Sequence, residues 1–396
     1  MIYINIPSSK SLTQRALILA SLSDHPVLLE NYSDSSDSVF LKKALELCGV
    51  KFEIQNNYRL MIFPDKIVFP NQIIYTGDGG TTIRFLSALS LVGKGQLKLD
   101  CDERMKLRPI SGMFKALRTS GVAVSDSDRY FVELQRRFYN RKIFVDTTHT
   151  SQYLSALMLV SPFRAVNTKI KYTKEVVSRP YVEMTENIIS EFGISIKKSM
   201  RSYSFENSSK IKIDKYSIEP DLSAAAFFHA AQYITGKSIV LTGYNNKIIN
   251  RNTHNFSQGD KVFFQYSHDY INNISNHFNL TDYPDLIAPM TSLAVAGNRI
   301  LYLHGVDKTI YKESARPLVL VNELRKTGMK IYYNKGTLTV HPKLDLKTVI
   351  LDSFFDHRMA MTFGIISLAN PRISVKSTTC VNKSFPDFWK ELDKLK

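Results

Sequence analysis

Residues 219–242 read EPDLSAAAFFHAAQYITGKSIVLT, and the reading of this stretch sets the architecture. Pro220 biases its predecessor away from helix and interrupts an extended segment. Asp221 then offers a capping carboxylate, and apolar residues follow at helical spacing. Gly236 closes the helix, and the β-branched run 238–242 reads as a strand. The trio Gly236-Lys237-Ser238 imitates the tail of a phosphate-binding P-loop. However, Ala231 stands where that loop needs its first glycine, and the order is helix then strand. A nucleotide site there is excluded.

The same grammar recurs on both sides. Helices are expected over 11–23, 81–93, 109–120, 151–161, 179–192, 221–236, 284–297, 316–328, 356–370 and 384–395, with Gly193 and Gly328 closing two of them. Short strands fill the gaps, as at 347–351, and residues 1–7 alternate like a strand. The class is α/β with mixed sheets, built by repetition of a β-α-β-α-β-β type unit. The chain has 396 residues, 44% of them hydrophobic, which implies two domains, with a boundary near Glu219-Pro220-Asp221. Residues 244–283, rich in Asn, Tyr, His and Ser, read as a surface excursion.

Net charge is +16. Such a balance suits anionic small substrates or nucleic acid. The basic residues are dispersed, with no long Lys/Arg block, which argues against a nucleic-acid tail. Cys48, Cys101 and Cys380 fit neither a disulfide framework nor a zinc site, so a reducing compartment is expected. No basic segment followed by an apolar run suggests export, and no apolar run is long enough to span a bilayer. A soluble, cytoplasmic protein is expected.

The chemistry concentrates at helix starts, where free N–H groups and the positive dipole end favour anions. Ser9-Lys10-Ser11 with Arg15 places hydroxyl, ammonium and guanidinium within reach of one phosphate. Gly77-Asp78-Gly79-Gly80-Thr81-Thr82 precedes an apolar helix containing Arg84, and its glycines let backbone approach a ligand closely. Arg104, Lys106 and Arg108 cluster before Pro109. Thr150-Ser151-Gln152 and Ser178-Arg179-Pro180-Tyr181 open two further helices with polar groups. Asp285 introduces a helix as a lone carboxylate, a cap or a general base. Lys312-Glu313-Ser314-Ala315-Arg316 mixes both signs within one turn. Asp356-His357-Arg358, with Lys383 further on, has no nucleophile elbow to serve, which sets a hydrolase triad aside.

The motifs SKSLTQRALILA, GDGGTTIRFL, RMKLRPI, TSQYLSALM, VSRPYVEMT, PDLIAPMT, KESAR, DHRMAM and KSFPDFW follow one another in this order, and the match they carry runs from Ile4 to Phe388. This set resembles the 5-enolpyruvylshikimate-3-phosphate synthases, the shikimate-pathway enolpyruvyl transferases targeted by glyphosate. The resemblance implies two inverse α/β domains, each of three β-α-β-α-β-β units with mixed sheets around buried parallel helices, and an active site in the inter-domain cleft. Residues 10–220 would bind shikimate 3-phosphate. Residues 1–9 with 221–396 would carry the acid–base residues and much of the phosphoenolpyruvate clamp.

By the same resemblance, Lys10, Ser11, Arg15, Thr150, Ser151, Gln152, Ser178, Tyr181, Asp285 and Lys312 match positions that hold shikimate 3-phosphate. Lys10, Asp78, Gly80, Thr81, Arg108, Gln152, Arg316, Arg358 and Lys383 match the phosphoenolpyruvate site. Asp285 is assigned to the substrate hydroxyl, and Glu313 or Lys10 to protonation of the enol carbon. Ala315 and Lys308 depart from the family pattern. The implied activity is that of a 3-phosphoshikimate 1-carboxyvinyltransferase working by addition and elimination, with no metal or organic cofactor. The expected partners are the two small-molecule substrates, with no nucleic acid and no membrane, for a monomer. The related UDP-N-acetylglucosamine enolpyruvyl transferases fit less well. They follow the early lysine with asparagine, where this chain has Ser11, and Cys101 does not align with their loop cysteine.

Overall fold

The computed structural model describes residues 1–56, 58–126, 132–244, 248–249 and 253–396. The chain forms two compact units, one of Ser9–Ile218 and one of Met1–Ser8 with Glu219–Lys396.

In the Ser9–Ile218 unit one strand plan occurs three times. The sheets run Lys215–Ser217, Val27–Glu30, Arg59–Phe63, Lys51–Asn56; then Ile74–Tyr75, Gln96–Asp100, Val132–Arg136, Val122–Asp126; then Lys142–Val145, Thr168–Tyr172, Ser202–Phe205, Lys197–Ser199. In each, the first two strands are parallel and the remaining pairs antiparallel. The first sheet takes its outer parallel strand from the far end of the unit, so the repeat closes on itself. A parallel pair needs a crossover, and a helix supplies it. Gly80–Leu89 and Gln152–Val160 make this crossover, and Lys10–Ser21, which leads into Val27–Glu30, takes the equivalent place in the first sheet; all three helices are buried along almost their whole length and pack against one another. Their composition explains this, since a helix apolar around its circumference belongs in a core.

The other unit keeps the parallel pair three times. Ile2–Asn5 lies beside Ile239–Thr242, His277–Asn279 beside Leu301–His304, and Val349–Asp352 beside Ile373–Lys376. Among the described residues only the middle sheet adds the antiparallel hairpin, Ile331–Asn334 with Thr337–Val340. The three buried helices here are Leu222–Thr235, Ile287–Ala294 and His357–Ile366, again mutually packed. The first is the helix expected from residues 219–242. Asp221 accepts from the Ala224 amide at 2.9 Å, and Gly236 sits at φ +66°, a left-handed conformation that glycine adopts without strain.

Two expectations need correcting. Helix Ser36–Leu47 was not foreseen. Its start, Asp34-Ser35-Ser36-Asp37, looks like a turn, yet Leu41, Leu45 and Cys48 fall on one buried face. Nor is 244–283 a surface excursion. It contains helix Val262–Ile271, and Phe256, Phe263, Tyr270, Phe278 and Leu280 are all core residues. Phe263 and Tyr270 lie seven apart, two helical turns, and the asparagines that masked this period sit mostly outside the helix. Residues 245–247 and 250–252 of that stretch fall outside the described residues. Among the described residues no helix is long and apolar enough to cross a membrane, and all three cysteines are unbridged.

Candidate functional site

The two units each gather a cluster of the expected residues at helix starts. In the Ser9–Ile218 unit, hydrogen bonds tie the starts of the three buried helices together. Gln14 donates to Thr82 Oγ1 at 2.8 Å, and Gln152 Nε2 donates to Thr81 Oγ1 at 3.2 Å. Lys10 Nζ pairs with Asp37 Oδ2 at 2.9 Å. The Arg84 guanidinium spans Gln152 Oε1 and the Pro109 carbonyl, and Arg108 donates to the Asp78 carbonyl at 3.3 Å. Thr150 caps the Gln152 amide at 3.2 Å. Lys10, Asp78, Gly80, Thr81, Arg108, Thr150, Ser151 and Gln152 therefore share one neighbourhood.

Gly80 shows how tightly cations approach backbone there. A Cβ on it would lie 2.5 Å from Arg84 Nη1 and 2.7 Å from Arg108 Nη2. Burial pulls the Arg84 pKa down to about 10, with Arg108 adding repulsion. Arg15 sits deeper than expected of a solvent-facing ligand. It is buried, and it donates to Thr185 Oγ1, the Ser11 carbonyl and the Tyr181 carbonyl at 2.7, 2.8 and 3.2 Å. It thus fixes the backbone of two other expected ligands. Ser178 precedes helix Arg179–Glu191 at φ +53°, a strained conformation for serine.

The cluster in the other unit is denser. Asp285 accepts from Arg316 Nη1 at 2.8 Å and Arg358 Nη2 at 2.9 Å, with Lys312 Nζ at 3.8 Å. Burial alone would raise its pKa. Arg358, Lys312 and Arg316 overcome that and hold it well below the usual carboxylate range. Glu313 faces His357 Nδ1 at 2.6 Å and Lys383 Nζ at 3.4 Å. Here too burial pushes the pKa up, and His357, Lys383 and Arg316 hold it well below. Asp356, fully buried, accepts from Arg316 Nε and Ser314 Oγ at 2.9 Å and caps the Arg358 amide at 2.9 Å. All six expected residues of this unit, Asp285, Lys312, Glu313, Arg316, Arg358 and Lys383, lie in this one network.

Sequence reasoning missed two carboxylates. Asp37, the partner of Lys10, reads in sequence as a helix-start acid. Asp260 is buried, accepts from the Ser223 hydroxyl, and has its pKa raised to about 6 by burial and then by the Asp285 charge. The signal for it was Ser257-Gln258-Gly259-Asp260. Gln258 binds the Leu222 amide at 3.0 Å and Glu219 at 2.9 Å, which anchors that turn to a helix start. Glu313, Asp356 and His357 bring three metal-type ligand atoms together, but Arg316, Lys383 and Ser314 already meet the carboxylates. That donor set does not call for a metal.

Residues 3–392 match the family model for EPSP synthase (3-phosphoshikimate 1-carboxyvinyltransferase). The chain is 30% identical to the 3-phosphoshikimate 1-carboxyvinyltransferase of Buchnera aphidicola subsp. Baizongia pistaciae, covering 98% of this chain and 95% of the relative. It is 31% identical to that of Buchnera aphidicola subsp. Cinara cedri, with 98% and 93% covered. Its fold matches the solved EPSP synthase of Acinetobacter baumannii with a TM-score of 0.77 at 18% identity, over 99% of this chain and 95% of the other. With the family model running almost end to end, the chain belongs to the EPSP synthase family.

Proposed function

We infer that the protein transfers the enolpyruvyl group of phosphoenolpyruvate to the 5-hydroxyl of shikimate 3-phosphate and releases phosphate, a step toward chorismate and the aromatic amino acids. The observation that carries this reading is one network in which two anionic carboxylates, Asp285 and Glu313, lie among Lys312, Arg316, Arg358 and Lys383. We propose that both clusters serve this one reaction. Lys10, Ser11, Arg15, Thr150, Ser151, Gln152, Ser178 and Tyr181 hold shikimate 3-phosphate, with Asp285 and Lys312 at its hydroxyl. Arg108, Arg316, Arg358 and Lys383 clamp phosphoenolpyruvate, with Lys10, Asp78, Gly80, Thr81 and Gln152 lining its pocket. The protein acts as a monomer in the cytoplasm.

Without substrate, Arg316 and Arg358 neutralise Asp285. A phosphoenolpyruvate anion competes for the same guanidiniums, and each one drawn away raises the basicity of Asp285. The base is thus weak while the site is empty and strengthens as the substrate arrives. In the addition step the substrate hydroxyl oxygen bonds to C2, its proton passes to Asp285, and C3 receives a proton. In the elimination step C3 gives that proton back, the C2–O bond to phosphate breaks, and Asp285 returns its proton to the departing phosphate. Glu313 is held anionic, so the proton shared over 2.6 Å belongs to His357 Nδ1. We propose that Glu313 relays that proton from the His357 imidazolium to C3, leaving a neutral ring that takes the proton back in the elimination step. Lys10, the other candidate, is paired with Asp37.

Phosphate release from phosphoenolpyruvate tests the assignment. Release is expected only when shikimate 3-phosphate is also present. Equal release without it, or none with it, removes the reading. Gly80→Ala is a second check. The added methyl displaces the guanidiniums of Arg84 and Arg108. Losing one charged hydrogen bond raises KM for phosphoenolpyruvate about ten-fold or more, with kcat less affected. An unchanged KM would mean that Arg108 does not hold this substrate.

A further inference from the structure

Lysines that look scattered in the sequence are gathered on one face of one sheet. Residues 136–215 carry fifteen Lys and Arg against seven Asp and Glu, so they supply half of the chain's +16. In the sheet of Lys142–Val145, Thr168–Tyr172, Ser202–Phe205 and Lys197–Ser199, side chains alternate between faces. Ile143, Val145, Ile170, Tyr203 and Phe205 point into the core. The outer face carries Lys142, Phe144, Lys169, Lys171, Lys197 and three serines. The register sets Lys142 beside Lys169, and Ser204 between Lys169 and Lys197. The next row is Phe144, Lys171, Ser202 and Ser199, with the Ser199 and Ser202 hydroxyls 2.6 Å apart. A hollow of about 310 Å³ lies along the first row, lined by Arg141, Lys142, Lys169, Lys197 and Ser204, with Glu206 as its one acidic wall residue.

No strand residue on this face is acidic. Glu206, just beyond its strand, pairs with Lys197 at 2.8 Å. Among the described residues no carboxylate lies within ion-pair distance of Lys142, Lys169 or Lys171. The two sister sheets of the same unit balance their charge. One places Glu30 opposite Arg59, with Lys215 at 3.6 Å from the same carboxylate. The other places Lys98 opposite Glu133. Like charges directly opposite on neighbouring strands destabilise a sheet, and only this one accepts that cost.

We propose that this lysine face binds single-stranded nucleic acid. Its four lysines match a phosphodiester backbone. Phe144, half exposed between them, offers a ring on which a base stacks, and the exposed Ser199 and half-buried Ser204 offer hydroxyl donors, Ser202 being buried. A lone aromatic is too little to anchor the face in a bilayer, which disfavours a membrane surface. Four strands at about 4.8 Å spacing accommodate only a few nucleotides, so binding is weak and strongly salt-dependent. The proposal departs from the sequence expectation of no nucleic-acid partner: the charge is dispersed along the chain and concentrated by the fold.

The test is fluorescence anisotropy of the full chain with a fluorescein-labelled uridine 12-mer. About four phosphate contacts give a log–log salt slope near −2.8, or about a 50-fold loss of affinity between 50 and 200 mM salt. Lys142→Ser/Lys169→Ser/Lys197→Ser is expected to bring the slope to about −0.7 while phosphate release in the enzymatic assay stays at the wild-type rate. Phe144→Ala weakens binding about ten-fold without altering the slope. Lys330→Ser/Lys343→Ser/Lys376→Ser removes the same charge elsewhere and is expected to change affinity less than two-fold. The proposal is overturned if this control loses as much as the face variant, or if the face variant binds like wild type. It also fails if saturating substrates displace the oligonucleotide, or if phosphatidylserine vesicles bind the same lysines more tightly than the RNA.

Discussion

Asp285→Asn is expected to lower kcat by about three orders of magnitude while leaving the thermal transition within a few degrees of wild type, a loss in the range removed with a positioned general base. The amide oxygen still accepts from Arg358, now at 2.9 Å, and Arg316 keeps its pair with Asp356 at 2.9 Å, so the network loses one charge and one hydrogen bond. It cannot take the hydroxyl proton. Burial makes a free carboxylate costly here, and Arg358, Lys312 and Arg316 keep Asp285 ionised.

That arrangement has a pH signature. In the free enzyme Asp285 is held well below 3.8, so its ionisation places no acid limb on kcat/KM in the ordinary working range. In the substrate complex the guanidiniums turn to phosphoenolpyruvate, and the Asp285 pKa rises toward or above its unperturbed value. The acid limb of kcat therefore lies at higher pH than that of kcat/KM. Coincident limbs would show that substrate does not draw Arg316 and Arg358 from Asp285. A variant with turnover within ten-fold of wild type would remove Asp285 as the base altogether.

What the sequence made legible was local. Asp221 and Gly236 bracket a helix whose cap and stop are both present in the fold, and the strand after it starts within a residue of its expected place. Helix starts were readable because capping and anion binding draw on the same small vocabulary of Ser, Thr, Asp and Gly. The same economy concealed Asp37, since an acid in the first turn of a helix needs no further explanation. Asp260 was hidden for another reason. Its significance depends on a neighbour 25 positions away, Asp285, and on the burial of both, which no local pattern encodes. Helix Val262–Ile271 was lost because polar and aromatic residues alternate around it, so that only Phe263, Ser267 and Tyr270 mark the buried side. The repeat plan could be guessed from alternating strands and helices. The absence of a hairpin from two of three sheets in one unit, among the described residues, could not, because the parallel pairs that remain look the same in sequence.

Asp356→Ala is expected to cause the largest loss of stability of any single change in this network. Asp356 is fully buried and meets the Arg316 guanidinium through Nε at 2.9 Å, the Ser314 hydroxyl at 2.9 Å and the Arg358 amide at 2.9 Å. Removing it leaves a buried guanidinium hydrogen-bonded to Asp285 and attracted to Glu313 but short of its first partner, and breaking one side of a buried pair costs about 3–5 kcal/mol. Helix His357–Ile366 also loses its N-cap, worth about 1 kcal/mol. For a domain of this size that corresponds to a fall of roughly 10 °C or more in the transition of the unit that contains it. Asp356→Asn separates the two contributions. It retains a capping oxygen and loses the ion pair, so it should fall between wild type and the alanine variant. The pH dependence supplies the sign. Burial pushes the Asp356 pKa up, Arg316 outweighs that, and the folded value lies below the ordinary 3.8. Its contribution is present above that value and lost as pH falls through the lower folded one. The alanine variant should thus lose stability less steeply than wild type below about pH 4. Denaturant unfolding at pH 7 and at pH 3 measures both effects. If the two proteins lose the same stability between those pH values, Asp356 is not ionised in the native network, and the anchor proposed for Arg316 does not exist.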